Sequence, residues 1–108
     1  MDIKNEGPTL VLVGDFDART SGEVRSAIYD HLHCDYVSKH PEQAVAIDLT
    51  EVDHVDLVAL RVIAVASRTA ARSGRRMVLR GACPSVRRML HLSHLIRAVE
   101  LENEPQPA

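Results

Sequence analysis

The chain is predicted to fold as an α/β domain, a mixed and mostly parallel central sheet of four to five strands with helices packed against it. Three observations predict this. β-prone runs alternate with segments of helical apolar spacing in the order strand, strand, helix, strand, helix, strand, helix, strand. Repeated strand–helix–strand units pack as a parallel sheet covered by its crossover helices. The run Thr9-Leu10-Val11-Leu12-Val13 is continuously β-prone rather than alternating, as in a strand buried on both faces. Finally, 108 residues with 45% hydrophobic content suit one domain with its own core.

The elements follow in order. Gly7-Pro8 is a turn signal that separates a short segment around Ile3 from the strand at Thr9–Val13. Gly14 is expected to end that strand, and Asp15-Phe16-Asp17 to form a loop with Phe16 tucked into the core. Thr20 or Ser21 can cap a helix over 21–33, where Val24, Ala27, Ile28 and Leu32 recur at helical spacing. Asp35 to Gln43 reads as a polar loop, since Pro41 rules out helix through its centre.

Val45 to Leu49 is the central strand, and a short acidic turn leads to Asp56. Asp56 can cap a long apolar helix that runs to about Ser73, with Gly74 as its stop. Residues 75–80 form the next strand, and Gly81 a turn. Pro84 sits in the first turn of a short helix that ends near Leu92 and uses Val86, Met89 and Leu90 as its apolar face. Residues 98–101 form a last extended piece. The chain reads as a single domain over 1–108, with an ordered core at about 9–101. Residues 102–108, with two Pro and no large apolar side chain, read as a flexible tail.

Composition narrows the function. Trp is absent and there are only two Tyr and one Phe, so platforms for stacking nucleic-acid bases are not expected. The net charge of −2 points the same way. Its distribution is lopsided: twelve of the fifteen acids lie at or before Asp56, and residues 57–99 hold nine Arg and no acid. Two charged faces of one fold, or a basic patch for an acidic protein partner, both account for that. The N-terminus is too polar for a secretory signal, and Arg61, Ser67 and Arg68 interrupt the longest apolar run. The expectation is a cytoplasmic protein with reduced Cys34 and Cys83 that does not insert in a membrane.

Motifs for chemistry are missing. The five Gly never form a phosphate-binding loop. His31, His33 and Cys34 point apart on a helix, and His91 with His94 lack a third ligand, so no metal or cofactor is expected. Cys83 before Pro84 lies where a thiolate is favoured, yet reads as a buried small residue. Asp48, Asp53 and Asp56 cluster near the turn, but no Lys follows and turn or cap roles explain Asp53 and Asp56. An enzyme is not expected; a small hydrolase or phosphotransfer protein built on these three Asp is the minor alternative.

Two stretches carry a family resemblance. LVGDFDARTSGEVRSAI is similar to the first strand, loop and first helix of STAS domains, the fold of bacterial anti-sigma factor antagonists. VAIDLTEVDHVDLVALRVIAVASRTAARSGRRMVLRGACPSVRRMLHLSHL resembles that family's Asp-Leu-Ser/Thr strand end, second helix, next strand and Pro-containing third helix. The resemblance covers Thr9 to Leu101. It implies a regulatory protein without catalytic activity, whose partner is an anti-sigma factor that is also a serine kinase. In the family, the turn into the second helix usually reads Asp-Ser-Ser/Ala-Gly-Leu, and a hydroxyl there is phosphorylated by the partner. Here Asp56-Leu57-Val58-Ala59-Leu60 keeps the Asp and the last Leu but has no hydroxyl. A phosphate at a helix N-terminus would place close to two charges in a docking surface, and Leu57 cannot accept one. Thr50 is the remaining candidate acceptor, with Thr20 and Ser21 also near that edge.

The surface of the long helix fits docking. Leu60, Ile63, Ala64 and Ala71 share one stripe expected to face the sheet. Leu57, Arg61, Val65, Arg68 and Arg72 make a second stripe, an apolar centre among Arg typical of interfaces, unless helix curvature buries the apolar pair. The predicted partner-binding set is Asp17, Thr20, Ser21, Asp53, Asp56, Leu57, Val58, Arg61, Val65 and Arg68. A homodimer stays open, as does the alternative of a STAS subunit in an ABC lipid-transport or stress-signalling complex.

Overall fold

The computed structural model describes residues 1–102. Five strands form one sheet whose spatial order equals chain order: β1 (Asp2–Glu6), β2 (Thr9–Phe16), β3 (Val45–Val55), β4 (Met77–Arg80) and β5 (Glu100–Leu101). β1 runs antiparallel to β2, and all other neighbours are parallel. The connections carry α1 (Ser21–Leu32), α2 (Asp35–Lys39), α3 (Leu57–Arg72), α4 (Pro84–Leu92) and a 3-10 turn at Leu95–Arg97. The predicted class is found: a mixed, mostly parallel sheet with helices packed on it.

The two sheet faces are covered differently. Leu10, Leu12, Val45, Ile47, Leu49, Met77 and Leu79 share one core with Val24 and Ile28 of α1, Leu60 and Ile63 of α3, and Leu90 of α4. Thr9, Val11, Ala46, Asp48, Val78 and Arg80 alternate to the other face. Val11, Ala46 and Val78 are buried there, but outside the helix-covered cluster. Arg80 lies across this face, donating to Thr9 Oγ1 at 3.3 Å and to Glu102 Oε2 at 2.6 Å. Glu102 also donates its amide to the Leu79 carbonyl at 3.0 Å, so it continues the edge of the sheet. The rest of the predicted tail, 103–108, lies outside the described residues.

Several expectations are corrected. β2 does not end at Gly14 but runs to Phe16. The pairing shifts register between Val11 and Val13 and again between Gly14 and Asp15, and Gly14 adopts φ +110°. Glycine here hosts an irregularity in a strand rather than its end. The predicted acidic turn is also strand. Glu51, Val52, His54 and Val55 pair with Val13, Gly14, Asp15 and Phe16, so β3 extends to Val55. A neighbouring strand with free backbone groups outweighs the local turn preference of acidic residues. Part of the predicted 35–43 loop forms α2, which stops before Pro41. On α3, Ala66 and Ala70 are buried, whereas Ala71 is exposed. Cys83 is exposed at the start of α4 rather than buried. α4 ends at Leu92, as expected, and His94 beyond it takes the left-handed conformation.

One buried polar side chain has no counterpart in the sequence reading. His31 of α1 is buried, with Nδ1 3.0 Å from Asn5 Oδ1 and Nε2 3.0 Å from the Pro8 carbonyl. It fastens β1 and the β1–β2 turn to α1, which satisfies both ring nitrogens away from water.

Candidate docking edge

α3 starts where it does because Asp56 is extended, at φ −107° and ψ 178°, and its Oδ1 accepts the Ala59 amide at 2.9 Å. This is the predicted cap, and such caps contribute about 1 kcal/mol. The other carboxylate oxygen does something the sequence does not announce. Asp56 Oδ2 accepts the Ala18 amide at 3.0 Å, across 38 residues of chain. One carboxylate therefore caps α3 and ties the β2–α1 loop against it.

That loop is built on its own side chains. Thr20 Oγ1 accepts the Asp17 amide at 3.1 Å and donates to the Asp15 carbonyl at 3.0 Å. Ser21 Oγ donates to the Ala18 carbonyl at 3.1 Å. Thr20 occupies the cap position of α1, but neither hydroxyl makes the predicted cap bond, because both are spent on the preceding turn. Asp17 is buried, and its carboxylate accepts the Arg19 amide at 2.9 Å and the Arg19 guanidinium at 2.8 Å. That guanidinium bond holds the Asp17 carboxyl below its usual range, against the opposing pull of burial. A lowered folded value means the carboxylate stabilises the fold above the unfolded value. This stability is lost as pH falls from the ordinary carboxylate range through the lowered value. Denaturant unfolding at about pH 7 and about pH 3 checks this: Asp17→Asn is expected to lose less stability on acidification than the wild type.

The predicted set falls into three places. The loop at Asp17–Ser21 and the turn at Asp56–Val58 meet through the Asp56–Ala18 bond. Leu57 is 36% exposed in the first turn of α3; Val58, Arg61 and Val65 are also exposed, Val65 at 55%. Arg68 lies farther off, about 16 Å along the helix from Leu57. It lines a separate groove with Arg75, Arg76 and Arg97. Asp53 faces a groove of about 320 Å³ shared with Thr50, Gly81, Cys83, Ser85 and Met89.

The three candidate catalytic carboxylates are otherwise engaged or dispersed. Asp48 accepts the Thr50 amide at 2.8 Å, and Asp56 holds two backbone amides. Among the described residues, no group of three or more His, Cys, Asp or Glu side chains is arranged to hold a metal ion. No described helix is long and apolar enough to cross a membrane.

The sequence reading missed one wall of this region. Leu57, Ser85, Arg88, Met89, Leu92 and Ser93 line a groove of about 410 Å³ between the start of α3 and α4. Leu92 is 75% exposed. The only sequence signal was that Leu92 continues no obvious stripe with Val86 and Leu90; nothing in it places Leu92 beside Leu57.

Comparison with known proteins agrees with this architecture. The Thermotoga maritima protein TM1081, named as a candidate anti-sigma factor antagonist, superposes with a TM-score of 0.72 at 20% identity, over 95% of this chain and 86% of that one. The anti-sigma factor antagonist SpoIIAA in its unphosphorylated form gives 0.62 at 12% identity, over 96% and 88%. A sulfate transporter family protein from Wolinella succinogenes gives 0.63 at 12% identity, over 84% and 69%. At these identities the likeness is one of fold. The sequence itself matches the family described as Mlab, STAS domain, over residues 1–101. The chain belongs to that STAS-domain family.

Proposed function

We propose that this chain is a non-enzymatic regulatory module of the cytoplasm that docks on an anti-sigma factor of the serine-kinase type. Docking uses the edge formed by the Asp17–Ser21 loop, the Asp56–Val58 turn and the outer face of α3 at Arg61 and Val65. The observation that carries the reading is Leu57. It is an exposed apolar residue at the first position of α3, beside a loop that Asp56 fastens in place. Preorganised apolar surface ringed by Arg is what a protein interface uses. The likeness of fold to anti-sigma factor antagonists supports the choice of partner.

SpoIIAA has been seen in both unphosphorylated and phosphorylated forms. This chain has no acceptor at the corresponding turn, so docking here is permanently competent or is regulated elsewhere. Of the nearby hydroxyls, those of Thr20 and Ser21 are bonded within their loop, whereas Thr50 is exposed.

The second reading is a STAS subunit of an ABC lipid-transport or stress-signalling complex, which is compatible with the family match and to which the transporter-family neighbour adds only a likeness of fold. Affinity purification from the native host separates the two. A soluble kinase is expected to co-purify; a membrane ATPase in its place would favour the second reading. Incubation with the recovered kinase and ATP is expected to leave the chain unmodified. Stoichiometric phosphate on Thr50, Thr20 or Ser21 would overturn the absence of a switch.

A further inference from the structure

Asp56 is the point where the end of β2, the β2–α1 loop and the start of α3 meet. Its amide donates to the Phe16 carbonyl at 3.4 Å, and its carbonyl accepts the Leu60 amide at 3.2 Å. Oδ1 accepts the Ala59 amide at 2.9 Å, and Oδ2 accepts the Ala18 amide at 3.0 Å. Among the described residues, the Oδ2 bond is the one hydrogen bond that ties residues 17–21 to the start of α3.

We propose that Asp56 is the positioning residue of the docking edge. Acting through Ala18, its second carboxylate oxygen holds the Asp17–Ser21 loop in the conformation that the partner meets, a role separate from capping α3. This rests on the docking reading and adds what sets that edge in place. The loop's other side-chain bonds are local. Thr20 Oγ1 bonds the Asp17 amide and the Asp15 carbonyl, Ser21 Oγ donates to the Ala18 carbonyl, and the Asp17 carboxylate holds Arg19. They shape the loop without fixing it against α3. Ala18 and Arg19 are exposed, so burial does not hold that stretch either. A loop left free must be ordered when the partner docks, which lowers affinity; a loop already held does not incur that cost.

The chemistry of the side chain separates the two roles. A carboxylate offers two acceptor oxygens, and here each takes one backbone amide. Asn caps helices about as well as Asp but has one acceptor oxygen, its other end being a donor. It can therefore satisfy one of the two amides and turns an N–H toward the other. The cap wins that competition. Ala59 is buried, so an unpaired amide there is costly, whereas Ala18 is exposed and water can take its amide. Ser is also a good cap and has a single side-chain oxygen. Asp56→Asn and Asp56→Ser therefore keep the start of α3 and release the loop.

The test compares both variants with the wild type as full chains, first with no partner present. Because Ala18 is exposed, its amide is slowed in hydrogen exchange by the Asp56 bond rather than by burial. Exchange at Ala18 is expected to be about 5-fold or more faster in Asp56→Asn and Asp56→Ser, with Ala59 and Leu60 within about 2-fold of the wild type. The circular dichroism spectrum should be unchanged and the melting temperature within about 5 °C, since losing one charge at a helix N-terminus costs little. Affinity for the partner recovered by affinity purification is expected to fall about 5-fold or more in both variants. Unchanged exchange at Ala18 would overturn the proposal, as would equal acceleration at Ala18 and Ala59, since the two roles would then be one. Unchanged affinity in a variant whose Ala18 exchange has risen would overturn it too, while the docking reading would still stand on Leu57→Asp. If Leu57→Asp also leaves affinity unchanged, the docking reading itself fails and the positioning role falls with it.

Discussion

Gly81→Ala is expected to destabilise the fold by roughly 3 kcal/mol, lowering the melting temperature by about 10–20 °C. Two separate costs add. Gly81 sits at φ +74°, where a side chain strains the backbone by about 1–2 kcal/mol. A Cβ there would also meet Thr50 of the neighbouring strand, approaching its Oγ1, its amide nitrogen at 2.8 Å and its Cα at 3.0 Å. Two of those three atoms are backbone of β3, which cannot rotate away as a side chain can; the Thr50 amide is held at the register shift by Asp48, to which it donates at 2.8 Å. Gly74→Ala is the control. Gly74 has φ +76° but nothing within 4 Å of the added Cβ, so only the conformational cost of about 1 kcal/mol is expected. Thermal melts of the two variants isolate the close approach as their difference. Removing the Thr50 hydroxyl in a Gly81→Ala, Thr50→Ala double variant should recover a minor part, because the backbone contacts remain. Equal melting temperatures for Gly81→Ala and Gly74→Ala would show that β3 yields after all.

Leu57→Asp is expected to abolish partner binding while leaving the fold intact or slightly more stable. The residue is the first of α3, where backbone amides lack helical partners and the helix dipole is positive. A carboxylate there is stabilising by about 0.3–1 kcal/mol, so lost binding could not be blamed on unfolding. In the proposed interface the same charge would be buried against apolar partner atoms, at a cost of several kcal/mol. That corresponds to a loss of affinity of roughly 100-fold or more. Calorimetric titration against the recovered partner, with a melt run in parallel, reads both effects. Unchanged affinity would move the interface away from α3.

The accuracy of the sequence reading followed the range of the interactions involved. Asp56 as a cap was legible, because the cap bond to Ala59 spans three residues and depends only on a short acceptor before an apolar helix. The outward course of Arg61 was legible from helical spacing, which left open whether curvature buries Leu57 and Val65; the structure exposes both. The acidic turn was misread because Asp53 and its neighbours favour turns locally. Only β2 lying alongside could convert Glu51–Val55 to strand. Thr20 does stand at the cap position, but its hydroxyl and that of Ser21 bond backbone groups of the preceding turn instead of the first helical amides, a choice that loop geometry makes.

The order of the main strands and helices, the parallel character of the sheet and the capped start of α3 were therefore determined by the sequence itself. Tertiary structure alone decided that Asp56 also holds Ala18, that His31 joins α1 to β1, and that Leu57 and Leu92 wall one cleft. Each of those joins residues far apart in the chain. Periodicity and capping are set within a few residues, whereas these contacts exist only once the shared core has fixed how the helices sit on the sheet.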